Sequence, residues 1–211
     1  MRRSVSAVVL IVLLSAVATA QSDDFFEHRS DHYLVLSEFS ADHAEDTADM
    51  LEAYFQLFNS YFRFDPAELV APLRVRVFSS QARSDRYLTR LISETRDNFV
   101  YLHYNNPERS ELVGYLDNAG DTEVSMVHQG FIQYLRAFVP NPPLWLREGF
   151  AVFFENAVYD PEFDAVVHRE NLSWLDTLQD IVLGETSSDP IPFDQLLRID
   201  LETARQRIDV F

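Results

Sequence analysis

The run from Ala44 to Phe62 constrains the fold more than any other segment. Ala44, Ala48, Leu51, Phe55, Phe58 and Phe62 recur at spacings of four and three, while Asp42, Glu45, Asp46, Asp49 and Glu52 fall on the other faces. That period gathers the apolar side chains on one stripe of an α-helix, so the segment predicts a long amphipathic helix that other elements must cover. Ser40 stands where an N-cap belongs, and the acidic first turns suit the positive end of the helix dipole.

The flanking segments supply the cover. Tyr33 to Ser37 reads as a short strand, and after the break at Asp65-Pro66 the run Leu73 to Phe78 alternates with the period of two that marks a half-buried strand. Arg83 to Ile92 predicts a short helix. Phe99 to Tyr104 and Leu112 to Leu116 predict two strands, paired as a hairpin through Asn105-Asn106-Pro107. From Thr122 to Val139 the helical period returns, with Val124, Val127, Phe131, Leu135 and Phe138 on one stripe, and Asn141-Pro142-Pro143 ends it. A second helix follows from Leu144 to Asn156, its start favoured by the prolines before it. Farther on, Phe163 to His168 suggests a strand, Trp174 to Val182 a helix, and Gly184 to Pro192 a polar loop. The expected class is α+β, a small mixed or antiparallel sheet with helices packed on it.

Composition narrows the chemistry. The 211 residues carry 34 Asp plus Glu against 17 Arg, with no Lys, for a formal charge of -17. Phosphate contacts need clustered positive charge, so a nucleic-acid partner is not expected. With 47% hydrophobic residues the chain can bury a core and is not a disordered acidic tail. The absence of cysteine excludes disulfides, thiolate metal sites and thiol nucleophiles, leaving oxygen and imidazole for any reaction. Only five glycines are present, and none forms a phosphate-binding loop. Met1-Arg2-Arg3, the apolar run Val8 to Val17 and the small residues of Ala18-Thr19-Ala20 have the pattern of a cleaved export signal. Residues 1–20 are therefore read as a signal peptide and 21–211 as one domain, periplasmic or secreted, with no later apolar run of membrane-spanning length.

The chemically informative stretch is Val127-His128-Gln129-Gly130-Phe131-Ile132-Gln133-Tyr134-Leu135, followed by Pro143-Leu144-Trp145-Leu146-Arg147-Glu148-Gly149-Phe150-Ala151. It resembles the peptidase MA-like, or gluzincin, zinc metallopeptidases. In that family one helix carries His-Glu-x-x-His, and the next, often written Pro-x-Trp-Leu-x-Glu-Gly-x-Ala, brings a glutamate to the same metal. Two imidazoles four positions apart share a helical face and can bind one zinc, while the glutamate beside the first removes a proton from the metal-bound water.

The resemblance places His128 at the first histidine and Glu148 at the third ligand. Gln129 stands at the general-base position and Ile132 at the second histidine. A glutamine amide is not a base near neutral pH, and isoleucine has no lone pair for a metal. General-base catalysis alone is typically worth about 100-fold to 10,000-fold. The expectation is therefore an exported domain that keeps the peptidase-like helices without catalysis or cofactor. Its role would be a binding or structural module of the cell envelope, with a peptide or an envelope protein as partner. The alternative is a zinc-dependent metallopeptidase using His128, Glu148 and a non-standard further ligand. Family members commonly continue with further helices that close the cleft, so a chain ending at Phe211 is expected to be truncated on that side.

Plainer roles accompany these assignments. His128 is expected as a hydrogen-bonded core histidine, with Glu148 its partner. His168 and Glu123 lack a spacing that makes them ligands, and His28, Asp31, His32, Asp42 and His43 read as solvated surface. His103 carries no assignment. Gly149 is expected where the helix packs closely on its neighbour, and Trp145, Phe150, Phe153 and Phe154 are expected in the core.

Overall fold

A computed structural model describes residues 25–116, 121–168, 173–184 and 191–206. Residues 1–20, expected as a signal peptide, and most of the expected Gly184 to Pro192 loop lie outside the described residues. Five strands form the main sheet: β1 (Phe26–Arg29), β2 (Tyr33–Ser37), β3 (Leu73–Phe78), β4 (Val100–Leu102) and β5 (Glu111–Tyr115). Their order is β1-β2-β3-β5-β4. The inner strands β2, β3 and β5 run parallel, and β1 and β4 are antiparallel edges, so the sheet is mixed and the fold α+β.

Register explains why the inner strands are so apolar. Val35 lies opposite Val75, and Val75 opposite Leu112, forming a fully buried row across three strands. On that face the long helix α1 (Ala41–Phe62) and α3 (Asp121–Phe138) cover the sheet. The other face carries Val113, Tyr115 and Phe78, covered by Leu88 of α2 (Gln81–Ile92). Alternation along β3 sends Arg76 to that second face. Its guanidinium lies 4.8 Å from the ring centres of both Phe25 and Tyr87 and 3.2 Å from the buried carboxylate of Glu111.

The ends of α1 follow from sequence. Ser40 Oγ accepts from the His43 N–H at 3.0 Å, and Arg63, in the left-handed region at φ 55°, closes the helix with its N–H on Asn59 O. Asn59 also accepts from the Tyr134 hydroxyl at 2.7 Å, tying α1 to α3. The next helix, α4 (Leu144–Phe154), begins directly after Pro143 and packs on α3. Phe58, Phe131 and Phe154, one from each of the three helices, form a closed triangle with centroid separations of 5.0–5.3 Å.

A two-stranded antiparallel sheet follows, β6 (Val158–Asp160) with β7 (Ala165–Val167), then α5 (Ser173–Leu183), α6 (Phe193–Leu196) and α7 (Leu201–Gln206). Three expectations need correction. The strand expected from Phe163 contracts to β7, with Phe163 exposed in the turn before it. Val124 belongs to the helical stripe but is 40% exposed, because this first part of α3 stands beside an opening rather than under a neighbouring helix. Gly149 is exposed, and a Cβ there would meet nothing within 4 Å, so close packing does not account for it.

Gly114 in β5 is the glycine that packing does require. A Cβ at this position would lie 2.5 Å from the buried ring of Phe99. Gly114→Ala is expected to destabilise the protein by about 1–3 kcal/mol in denaturant titrations, the cost of overpacking. Combining it with Phe99→Leu should cost less than the two single substitutions added together.

Candidate functional site

The packing of α3 on α4 brings His128 and Glu148 together at the rim of the core. His128 Nε2 lies 3.5 Å from Glu148 Oε2, and the shorter contact, 3.0 Å, joins His128 Nδ1 to Glu155 Oε2. Each of the three side chains keeps between a fifth and about a quarter of its surface exposed. Glu148 and Glu155 are seven residues apart, two helical turns, which puts both on the face of α4 that meets α3. Sequence reasoning named the first carboxylate and missed the second, although that spacing was a signal for it. The far oxygen of Glu148 is taken by its neighbour: Arg147 Nη2 and Nε lie 2.6 and 2.7 Å from Oε1.

Electrostatics follow from this arrangement. Burial pulls the His128 pKa down, but hydrogen bonding and charge attraction from Glu148 and Glu155 outweigh it, leaving the imidazole above its ordinary value. Burial pushes Glu148 up, and contacts with His128 and Arg147 outweigh that, leaving its carboxyl below the usual range. Below its raised pKa, His128 is an imidazolium flanked by two carboxylates, with a guanidinium beyond one of them.

Gln129, at the base position of the resemblance, is engaged with the sheet. Its Oε1 accepts from the Tyr101 N–H of β4 at 3.3 Å, and Ser125 Oγ, one turn earlier, donates to Phe99 O at 3.4 Å. Together they lay α3 along the edge strand. Ile132, at the second-histidine position, is 7% exposed and part of the main core. A shallow opening of about 380 Å3 beside His128 and Glu155 is lined by Asn98, Val124 and Ser125.

The remaining candidates are held elsewhere. His168 Nε2 lies 2.9 Å from Phe153 O, its ring packed among Tyr61, Phe153 and Phe154. Glu123 accepts from the Tyr54 hydroxyl at 3.4 Å. His32 Nδ1 is 2.6 Å from Glu52 and stacks on Phe55, whereas His43 Nδ1 is 2.9 Å from Ser37 Oγ, so these two histidines have separate partners. His28 sits in β1, and His103, just past β4, is exposed beside Tyr101. Phe154 is fully buried and Phe150 and Phe153 pack on the core, while Trp145 is half-buried.

These donors do not fit a gluzincin-type zinc site. A metal-bound imidazole must present a neutral nitrogen, whereas both His128 nitrogens face carboxylates that favour its protonated form. Ile132 contributes no donor, and Arg147 places positive charge against the remaining carboxylate ligand. Among the described residues, no group of three or more His, Asp or Glu is arranged to hold a metal ion.

Glu155→Gln is expected to lower stability by about 1.5 kcal/mol in slightly acidic buffer, the worth of a hydrogen bond to a charged group. The pH window follows from the two shifts. A raised imidazole pKa contributes stability that is full below the unfolded value of 6.5 and is lost as pH rises through the folded value. A lowered Glu148 pKa contributes stability present above the unfolded value of 4.5 and lost as pH falls through the folded one. Chemical denaturation across pH should therefore show a difference between wild type and Glu155→Gln that is present just below pH 6.5 and narrows as rising pH deprotonates His128 in the folded protein.

Neither the models of protein families nor the curated proteins include a match to this chain.

Proposed function

We propose that the chain is an exported peptidase-MA-like domain without catalytic activity, serving as a binding or structural module of the cell envelope with a peptide or an envelope protein as partner. The observation that carries the reading is the pairing of α3 with α4 around His128, Glu148 and Glu155, with Ile132 buried where a second imidazole would be needed. Contacts from His128 to two carboxylates support the reading, since they link α3 to α4 without a metal. Gln129 supports the same reading, since its amide oxygen is bonded to the sheet edge and its amide cannot take a proton from water near neutral pH. The leader of residues 1–20 supports the envelope or secreted location.

The alternative, a zinc-dependent peptidase with a non-standard ligand set, draws on one distance. The 3.5 Å between His128 Nε2 and Glu148 Oε2 is long for a hydrogen bond and close to the separation of two donors on one tetrahedral zinc, about 3.4 Å for bonds of about 2.05 Å. It would need a further ligand in place of Ile132.

Elemental analysis of protein purified without chelator separates the two. The proposed reading expects zinc far below one equivalent, unchanged in His128→Ala, and no zinc-dependent cleavage of a peptide library in single-turnover assays. Near-equimolar zinc that His128→Ala removes, with hydrolysis that Glu148→Ala abolishes, would overturn it.

A further inference from the structure

A cavity of about 700 Å3 lies away from the His128 opening. It forms where the chain enters β3, where β4 ends, and where the last turns of α3 finish. Its lining combines apolar residues, among them Leu69, Val70, Ala137 and Pro140, with the polar Tyr101, His103, Gln133 and Arg136. This volume and this mixture of apolar wall and few convergent polar groups are characteristic of small-molecule sites.

Three observations indicate what it would hold. First, Arg136 carries a positive charge in a chain of net charge -17, yet among the described residues no carboxylate stands within ion-pair distance of it. The groups whose charge bears on it are Arg147, the Tyr101 hydroxyl and Glu148, and of these Arg147 and Glu148 already pair with each other. Second, Val70 is 81% exposed at the edge of the cavity, an apolar surface with nothing on it. Third, Gln133 is buried in the cavity wall with its Nε2 bonded to Arg74 O at 2.8 Å and its Oε1 without a partner among the described residues. Burial and the Arg136 charge hold the His103 imidazole below its ordinary pKa, so it stands as a neutral hydrogen-bonding group beside the guanidinium.

We propose that this cavity binds a small organic carboxylate with an apolar body, the carboxylate set against Arg136 beside Tyr101 and His103, and the body against Leu69, Val70, Ala137 and Pro140. A guanidinium offers paired donors that match a carboxylate, and the apolar wall gains from removing the body from water. Tyr101 also links the cavity to the rest of the molecule, because its main-chain N–H donates to Gln129 on α3. The site does not depend on the reading of His128, and its failure would leave that reading untouched.

Isothermal titration with 4-phenylbutyrate and its amide, and with the peptide Ac-Ala-Phe-Leu bearing a free or an amidated C-terminus, tests the proposal on the purified protein. At least one acid is expected to bind at least 10-fold more tightly than its amide. Whether the free acid or the peptide terminus binds better distinguishes a metabolite-sized ligand from a chain end. Arg136→Gln should reduce that binding 10-fold or more, and Val70→Glu, at a position too exposed to disturb folding, should weaken it through like-charge repulsion. Arg86→Gln, an exposed arginine on α2, should leave it unchanged. Equal affinity for acid and amide, no binding of any probe at millimolar concentration, or undiminished binding in both Arg136→Gln and Val70→Glu would overturn the proposal.

Discussion

The contact of three aromatic rings joins the three helices that carry the main core. Phe58, Phe131 and Phe154 meet in a triangle with no edge longer than 5.3 Å, and each ring is at most 1% exposed. Aromatic pairs at such separations contribute about 0.5–1.5 kcal/mol beyond the area they bury. Because each ring comes from a different helix, the triangle fixes α1, α3 and α4 against one another. Tyr134 and Phe62 extend the cluster along α1 and α3, and the Tyr134 hydroxyl finds Asn59 so that its burial leaves no polar atom unanswered. The spacing of α3 and α4 is thus set from the apolar side, before any charged group is considered.

The polar cluster at the rim is a consequence of that spacing. Once α3 and α4 are held together, a histidine on one and two glutamates on the other have little choice but to meet. A lone buried imidazole or carboxylate would lose hydration without return, whereas the His128, Glu148, Glu155 and Arg147 set alternates in sign and satisfies itself. The geometry forms an ion-pair clasp between α3 and α4. Gln129 and Ile132 are both engaged by structure: one by the edge of β4, the other by the core.

Periodicity made the interior of the fold legible. The α1 stripe, the alternation of Leu73 to Phe78, and the proline break between α3 and α4 each encode local geometry, and the elements occur where those patterns place them. Pairing was less legible, because the parallel neighbours β2, β3 and β5 are brought together across intervening helices and nothing local names the partner. Strand β1 left no signal: Phe26 to Arg29 is a largely exposed edge without alternation, and the link after it is fixed by Ser30 and His32 bonding to the distant Glu52. At the site, the resemblance singled out His128 and Glu148, and α3 and α4 bring them to 3.5 Å of one another. Glu155 was not sought because the motif ends before it, although helical geometry places it two turns from Glu148. The 700 Å3 cavity was hidden altogether, since Leu69, Tyr101 and Arg136 converge only through tertiary packing.

The central claim is that His128 is held as an imidazolium by two carboxylates where the resembling family would hold a metal. Imidazole NMR of selectively labelled protein, titrated across pH with and without one equivalent of zinc, tests it most directly. The account predicts a His128 pKa above 6.5 with protons on both nitrogens below it, and resonances that zinc leaves in place. A neutral His128 below that value, or a proton displaced from Nε2 by stoichiometric zinc, would contradict it.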